Sequence, residues 1–264
     1  MRRIVISTFA AILAVVQVSA LDLFKKKNSE PVNYNAWRDT TALTMVTAEG
    51  LPMFYPETVE DGQAVVRGEF SLPGRTSEQI FLGALDYAVS HLDAEDEHEQ
   101  IGEFNEADKS FMIRRYSKQG SNNTETVYRC LVLVKAETGR LLFAINEIDV
   151  KYREKGLIPR TLAFEKLKPA DNSRHRELVE LFAELTGAYF HSLSEAAAGS
   201  GSLSASHWKE IREKEVVKGM SELEVKLAVG MPLATRDNGD RIRWVYPDNY
   251  IVLFENGKVV RVVE

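Results

Sequence analysis

Four short segments joined by turns constrain the fold of this chain more than any other feature. They cover about 99–105, 110–118, 124–136 and 140–150, and polar turn residues separate each from the next. Each segment has the length and the apolar spacing of a β-strand. Since strands joined by such short turns pair antiparallel, this part of the chain predicts an antiparallel sheet.

Two helices are predicted to flank these strands. A further strand is predicted over 64–72, and Thr76-Ser77-Glu78-Gln79 predicts a capping box that begins a helix over 77–92. A long amphipathic helix is predicted over 174–197, with Ser173 as its N-cap. Antiparallel strands that alternate with few helices indicate an α+β domain with both helices packed on one face of the sheet.

The start of the chain is typical of a secretory signal peptide. Met1-Arg2-Arg3 is positively charged, a nearly uninterrupted apolar run of 13 residues follows from Ile4 to Val16, and Val18-Ser19-Ala20 supplies small residues at positions −3 and −1 of a cut after Ala20. We therefore predict export, to the periplasm or the outer membrane, with cleavage after residue 20. The alternative is an uncleaved anchor, but about 20 residues are needed to span a bilayer. The lone Cys130 lies far from Ala20, so it is not a lipid-attachment cysteine.

The remaining chain is predicted to contain two domains. Residues 21–63 lack a sustained pattern and are interpreted as a lead-in, whose Lys25-Lys26-Lys27 run is either a solvated tether or a peripheral contact with acidic lipid head groups. A first domain covers 64–197. A Gly-Ser-Gly-Ser linker within 198–203 separates it from a second domain at 204–264.

The second domain is predicted to consist of two helices and three strands. A charged helix is expected over 204–215, and Ser221-Glu222-Leu223-Glu224 is a second capping box that begins a short helix. Strands follow at about 241–246, 250–255 and 258–263, with Asn256-Gly257 as the hairpin turn between the last two.

The turns also predict the register of these strands. Tyr246 should lie opposite Tyr250 in a type I turn with Asn249 left-handed, and Glu255 should lie opposite Lys258. The predicted core face then contains Ile242, Trp244, Tyr246, Tyr250, Val252, Phe254, Val259 and Val263. The predicted partner-binding face contains Ile251, Leu253, Val260 and Val262, flanked by Arg241 and Arg243.

That second face needs a cover, because the helices of the module can cover only one side of its sheet. The expectation is that it docks on the preceding domain or on another protein. The alternative is that the lead-in or the 204–215 helix covers it.

Two family resemblances add to this interpretation. Residues 64–197 resemble a secreted bacterial domain of unknown function with a TBP-like fold, in their element order and in the pattern from Val65-Val66-Arg67-Gly68-Glu69-Phe70 through Pro73-Gly74 into the capped helix. The family has no established activity, so the resemblance implies none.

Residues 216–264 resemble the BamE (SmpA/OmlA) family of outer-membrane assembly lipoproteins, in Gly219-Met220-Ser221, Gly230-x-Pro232 and the hairpin that follows. This second resemblance implies envelope location and binding more than catalysis.

Composition excludes several classes of function. The chain has 264 residues, a net charge of −6 and one cysteine. The acidic balance argues against a general nucleic-acid binder, and one cysteine excludes multi-cysteine metal sites. No nucleotide-binding loop or nucleophile motif occurs, and the acidic stretch 93–97 is interpreted as a solvated helix end.

We predict no catalytic, cofactor or metal site. The expected function is that of a non-enzymatic envelope protein that binds envelope proteins, in outer-membrane assembly or maintenance. The alternatives are a secreted inhibitor module and an enzyme with a cleft between its two domains.

Overall fold

The computed structural model describes residues 46–47, 50–58, 62–92, 100–120, 125–153, 158–199, 201–239 and 241–263. The predicted signal peptide, the lysine run and the acidic stretch lie outside the described residues.

The first module is built on an antiparallel sheet. Over the described residues it has seven strands in the order β1-β2-β6-β5-β4-β3, and β7 pairs with the second half of β6. The sequence prediction of an α+β fold with antiparallel strands is confirmed. The elements are β1 Glu57–Thr58, β2 Ala64–Ser71, α1 Ser77–Ser90, β3 Gln100–Asn105, β4 Ser110–Gln119, β5 Thr126–Glu137, β6 Arg140–Tyr152, β7 Arg160–Ala163 and α2 Ser173–Gly199.

The core of this module lies between the sheet and the two helices α1 and α2. Phe143 of β6 stacks on Phe190 of α2, with ring centroids 3.6 Å apart, and both rings are buried. Burial of such rings supplies much of the hydrophobic stabilisation of a domain. The predicted capping box of α1 is confirmed, because the Gln79 N–H donates to Thr76 Oγ1 and the Thr76 N–H donates to Gln79 Oε1.

The N-cap predicted for α2 is wrong by one residue. Asn172 Oδ1 accepts hydrogen bonds from the N–H groups of Arg174 and His175, at 2.9 and 3.2 Å. Ser173 is instead the first helical residue. An asparagine side chain satisfies two otherwise orphaned donors of the first turn here, which is the role of an N-cap.

Part of the lead-in packs into the same core. Tyr55 is buried, and the Phe54 ring meets Phe143 edge-on at 4.8 Å. The backbone of Pro52 lies against α2 at Gly187, where a Cβ atom would come within 1.6 Å of the Pro52 carbonyl oxygen. Only glycine allows this approach, so Gly187 holds the lead-in against the domain.

The second module places two short helices on one face of a second antiparallel sheet. Over the described residues this sheet has four strands, in the order β11-β10-β9-β8, instead of the predicted three. The additional strand β8 has four exposed residues and therefore no apolar alternation to reveal it. The elements are α3 Trp208–Glu213, α4 Glu222–Val229, β8 Ala234–Asp237, β9 Arg241–Val245, β10 Ile251–Glu255 and β11 Lys258–Val263. Helix α3 is shorter than predicted at both ends: it begins after His207, and Lys214 ends it by adopting a left-handed conformation.

A buried carboxylate joins the two helices of this module. Glu224 Oε1 accepts hydrogen bonds from the N–H groups of Ser206 and His207, at 2.6 and 3.0 Å, and lies 2.9 Å from His207 Nδ1. Its Oε2 accepts the Ser221 N–H at 2.6 Å, which completes the predicted capping box. The side chain is 1% exposed. Burial alone would raise its pKa, but the donors from Ser206, Ser221 and His207 lower the pKa of Glu224 to about 2.

The two modules contact each other through their helices. The Trp208 ring lies between Phe81 of α1 and Phe104 of β3, with centroid distances of 6.0 and 5.6 Å. Lys226 Nζ of α4 donates to Asp86 Oδ1 and Ser90 Oγ of α1, at 3.1 and 2.9 Å. The apolar rings and the partly buried ion pair together hold α3 and α4 against the first module.

Replacing Gly187 with alanine should destabilise the fold. The added methyl group would force the Pro52 backbone away from α2, and overpacking of this kind costs about 1–3 kcal/mol. The matched control is Gly199→Ala in the same helix, where a Cβ meets nothing within 4 Å. Urea unfolding of the two variants measures the difference. Equal stability of Gly187→Ala and the wild-type chain would contradict the contact.

Replacing Glu224 with glutamine should also destabilise the chain, and in a pH-dependent way. The folded pKa of about 2 lies below the ordinary value of 4.5, so the stabilisation is complete above about pH 5 and is lost as the pH falls toward 2. At pH 7 this difference between the folded and the ordinary pKa corresponds to about 3 kcal/mol in the free energy of unfolding. Urea unfolding between pH 7 and 3 should show a steeper loss for wild type than for Glu224→Gln. Glu222→Gln, in the same turn of α4, serves as the control, and parallel pH curves for wild type and Glu224→Gln would contradict the assignment.

Candidate functional site

The turn between β9 and β10 sets the register of the second sheet largely as predicted. The Tyr246 N–H donates to the Tyr250 carbonyl at 2.8 Å, and Glu255 pairs with Lys258 across the next hairpin. The turn itself differs in one respect from the prediction, because Asp248 is left-handed (φ +58°) as well as Asn249 (φ +61°). Both predicted cross-strand pairs are nevertheless confirmed.

A β-bulge at Val260 changes the faces of β11. Phe254 pairs with Val259, but Leu253 pairs with Arg261, so Val260 is an extra residue between the two pairs. Side chains alternate along a strand, and one inserted residue therefore exchanges the two faces beyond it.

Two face assignments made from the sequence are wrong for this reason. Val262 pairs with Val252 and packs against the core of the module, although it was predicted on the partner-binding face. Val263 pairs with Ile251 on the opposite face, although it was predicted in the core. Val260 itself is 37% exposed.

The bulge completes a row of arginines across the sheet. Arg236 of β8 pairs with Arg243 of β9, which pairs with Leu253 of β10, which in turn pairs with Arg261 of β11. Because directly paired residues share a face, all four lie together on the side away from α3 and α4. All three arginines are exposed. We call Arg236, Arg243 and Arg261 the arginine row, and the side of the sheet that carries it the outer face.

The arginine row makes no ion pair or side-chain hydrogen bond with the part of the chain that the structure describes. The neighbouring Arg241, by contrast, pairs with Glu255 on the same face, with Nε 3.3 Å from Oε1. The half-buried residues Val245, Ile251, Leu253 and Val263 lie beside the row, and none of them belongs to either hydrophobic core.

Four of the six predicted partner-binding residues lie on the outer face, namely Arg241, Arg243, Ile251 and Leu253. Sequence reasoning missed Arg236 and Arg261. The first belongs to a strand without apolar alternation, and the second reaches this face only through the bulge. No local sequence signal marks either position.

Two of the expectations about what covers the outer face are wrong in the described residues. The expected cover by the 204–215 helix is wrong, because Trp208 and Ile211 pack on the opposite face with Trp244 and Phe254. Where the structure describes both modules, the preceding domain contacts α3 and α4 and not the outer face. Of the lead-in, the described residues 50–58 pack on the first module.

A groove of about 1110 Å³ lies between the two modules. Its floor is apolar and includes Leu92, Ile101 and Leu227, and its rim carries the ion pair between Glu106 and Arg212. The hydrogen bond from Arg212 lowers the pKa of Glu106, so this carboxylate is an ionised partner of the arginine and is unsuited to act as a general acid. No histidine lines the groove in the described residues.

The described residues contain no group of three or more His, Cys, Asp or Glu side chains that could hold a metal ion. Cys130 is half-buried on β5. None of their helices combines the length and the apolar character that a membrane span requires.

Comparison with models of known protein families finds no match, and comparison with curated proteins finds none either. Solved structures that are similar to this chain include two bacterial proteins. A TBP-like protein from Parabacteroides distasonis is 10% identical, over 54% of this chain and 97% of that one, with a TM-score of 0.47. A DUF4468 family protein from Bacteroides ovatus is 18% identical, over 61% of this chain and 98% of that one, with a TM-score of 0.42. What this chain binds must therefore be inferred from its own surface.

Proposed function

We propose that this chain is an exported, non-enzymatic protein of the cell envelope that acts by binding another protein through the outer face of its C-terminal sheet. The observation that carries the proposal is that this face combines apolar side chains with an arginine row that lacks a partner in the described residues. A sheet with apolar side chains on both faces requires a cover on each, and the helices of the module cover only one.

The composition of the outer face supports a protein partner. Leu253 lies between Arg243 and Arg261 in the same cross-strand row, with Val245 and Ile251 on the adjoining row. Arginines beside an apolar centre are typical of protein interfaces, where they account for much of the binding energy.

The sequence patterns support the location and the setting. The signal-peptide pattern over 1–20 favours export. The resemblance of 216–264 to the BamE family favours a binding module with a role in outer-membrane assembly or maintenance. Two helices packed against an antiparallel sheet agree with that resemblance, and the fourth strand β8 departs from it.

A photo-reactive phenylalanine analogue at position 253 should yield one discrete cross-linked adduct in intact cells. Leu253 lies at the centre of the proposed docking surface, so its replacement should contact the bound partner directly. The same analogue at Glu184, an exposed position on α2, is the control and should yield none. Immunoblotting detects the adduct, and mass spectrometry identifies the attached protein. Stable accumulation of the labelled chain without an adduct at position 253 would contradict the proposal.

A further inference from the structure

We propose that the partner of the outer face is an acidic polypeptide, whose carboxylates pair with the arginine row. This inference rests on the proposed function and specifies the chemistry of its partner. It starts from the direct pairing of Arg236 with Arg243 on adjacent strands. Strands in a sheet lie about 4.8 Å apart, and like charges directly opposite one another destabilise the pair. A bound anion removes this repulsion.

The charge of the outer face is opposite to that of the whole chain. Among the described residues the face carries five cationic side chains against one acidic side chain, whereas the chain has a net charge of −6. The cationic residues are Arg236, Arg241, Arg243, Lys258 and Arg261, and the acidic one is Glu255. Of these, Arg241 is already paired with Glu255. The arginine row therefore forms a local cationic surface on an acidic protein, which is complementary to an anionic partner.

The predominance of arginine among these cations favours the carboxylates of a protein as the bound anions. Four of the five cations are arginines, and arginine is enriched in protein interfaces whereas lysine is depleted. The planar guanidinium group binds a carboxylate through two parallel hydrogen bonds, which a lysine ammonium group cannot do. The half-buried Leu253 in the middle of the row adds an apolar contact that a polypeptide side chain can meet.

The position of the aromatic residues disfavours a nucleic acid or a bilayer as the partner. Trp244, Tyr246 and Phe254 are buried on the opposite face of the sheet, against α3 and α4. The outer face of the described strands thus presents no aromatic ring. Proteins that bind single-stranded nucleic acid stack bases on exposed rings, and proteins at a membrane interface anchor through tryptophan and tyrosine.

The test measures binding of fluorescently labelled poly-L-glutamate to the purified full chain by anisotropy at low salt. The triple variant Arg236→Gln, Arg243→Gln, Arg261→Gln should bind about tenfold more weakly, since it loses three charge-assisted pairs with carboxylates. The control variant Arg114→Gln, Arg129→Gln, Arg160→Gln removes the same charge from exposed sites on the first module and should bind like wild type. Thermal unfolding checks that both variants are folded.

Two further arms identify the class of the anion. Single-stranded DNA and phosphatidylglycerol vesicles, at matched charge concentration, should bind more weakly than poly-L-glutamate. Equal or tighter binding of either, lost in the arginine-row variant, would overturn the assignment to a polypeptide. Unchanged binding of poly-L-glutamate by that variant, or no binding by wild type, would overturn the inference itself.

The outcomes also separate this inference from the proposed function. If the adduct at position 253 forms but the arginine-row variant binds poly-L-glutamate like wild type, the docking function stands and the acidic partner is wrong. If poly-L-glutamate binding depends on the arginine row but position 253 yields no adduct in cells, the anionic specificity stands and the docking function is wrong.

Discussion

The buried carboxylate of Glu224 is the interaction on which the placement of the C-terminal module depends. A charge removed from water is stable only when hydrogen bonds occupy its acceptor sites, and here backbone donors from two separate segments do so. One segment leads out of the Gly-Ser stretch, and the other begins α4. The carboxylate therefore ties the end of the linker to α4, the helix that contacts α1.

This arrangement illustrates which parts of the fold a sequence reveals. Both capping boxes were predicted correctly, because each depends on residues only three positions apart. The sequence could not show that Glu224 also binds Ser206 and His207, because that contact requires a chain reversal across 17 or more residues. The missed N-cap at Asn172 has a different cause: asparagine and serine are both good caps, and only the helix start decides between them.

In the candidate site, too, the sequence revealed contacts between neighbouring residues and missed contacts between distant ones. The pairing of β9 with β10 was predictable because a tight turn connects them, and this placed Arg243, Ile251 and Leu253 on one face. The pairing of β8 and the bulge in β11 depend on contacts with neighbouring strands, and no local pattern encodes them. As a result the sequence identified one arginine of the row and missed the other two, and with them the cationic character of the surface.

The bulge at Val260 makes the charge of the outer face depend on backbone register as well as on side-chain identity. Side chains alternate between the two faces along a strand, so a register shift of one residue moves every later side chain to the opposite face. Regular pairing of the same residues, without the bulge, would place Arg261 opposite Val252 on the core face and Val262 opposite Ile251 on the outer face. The extra residue thus keeps a charged guanidinium group out of the apolar core of the module and turns the valine that follows it into that core.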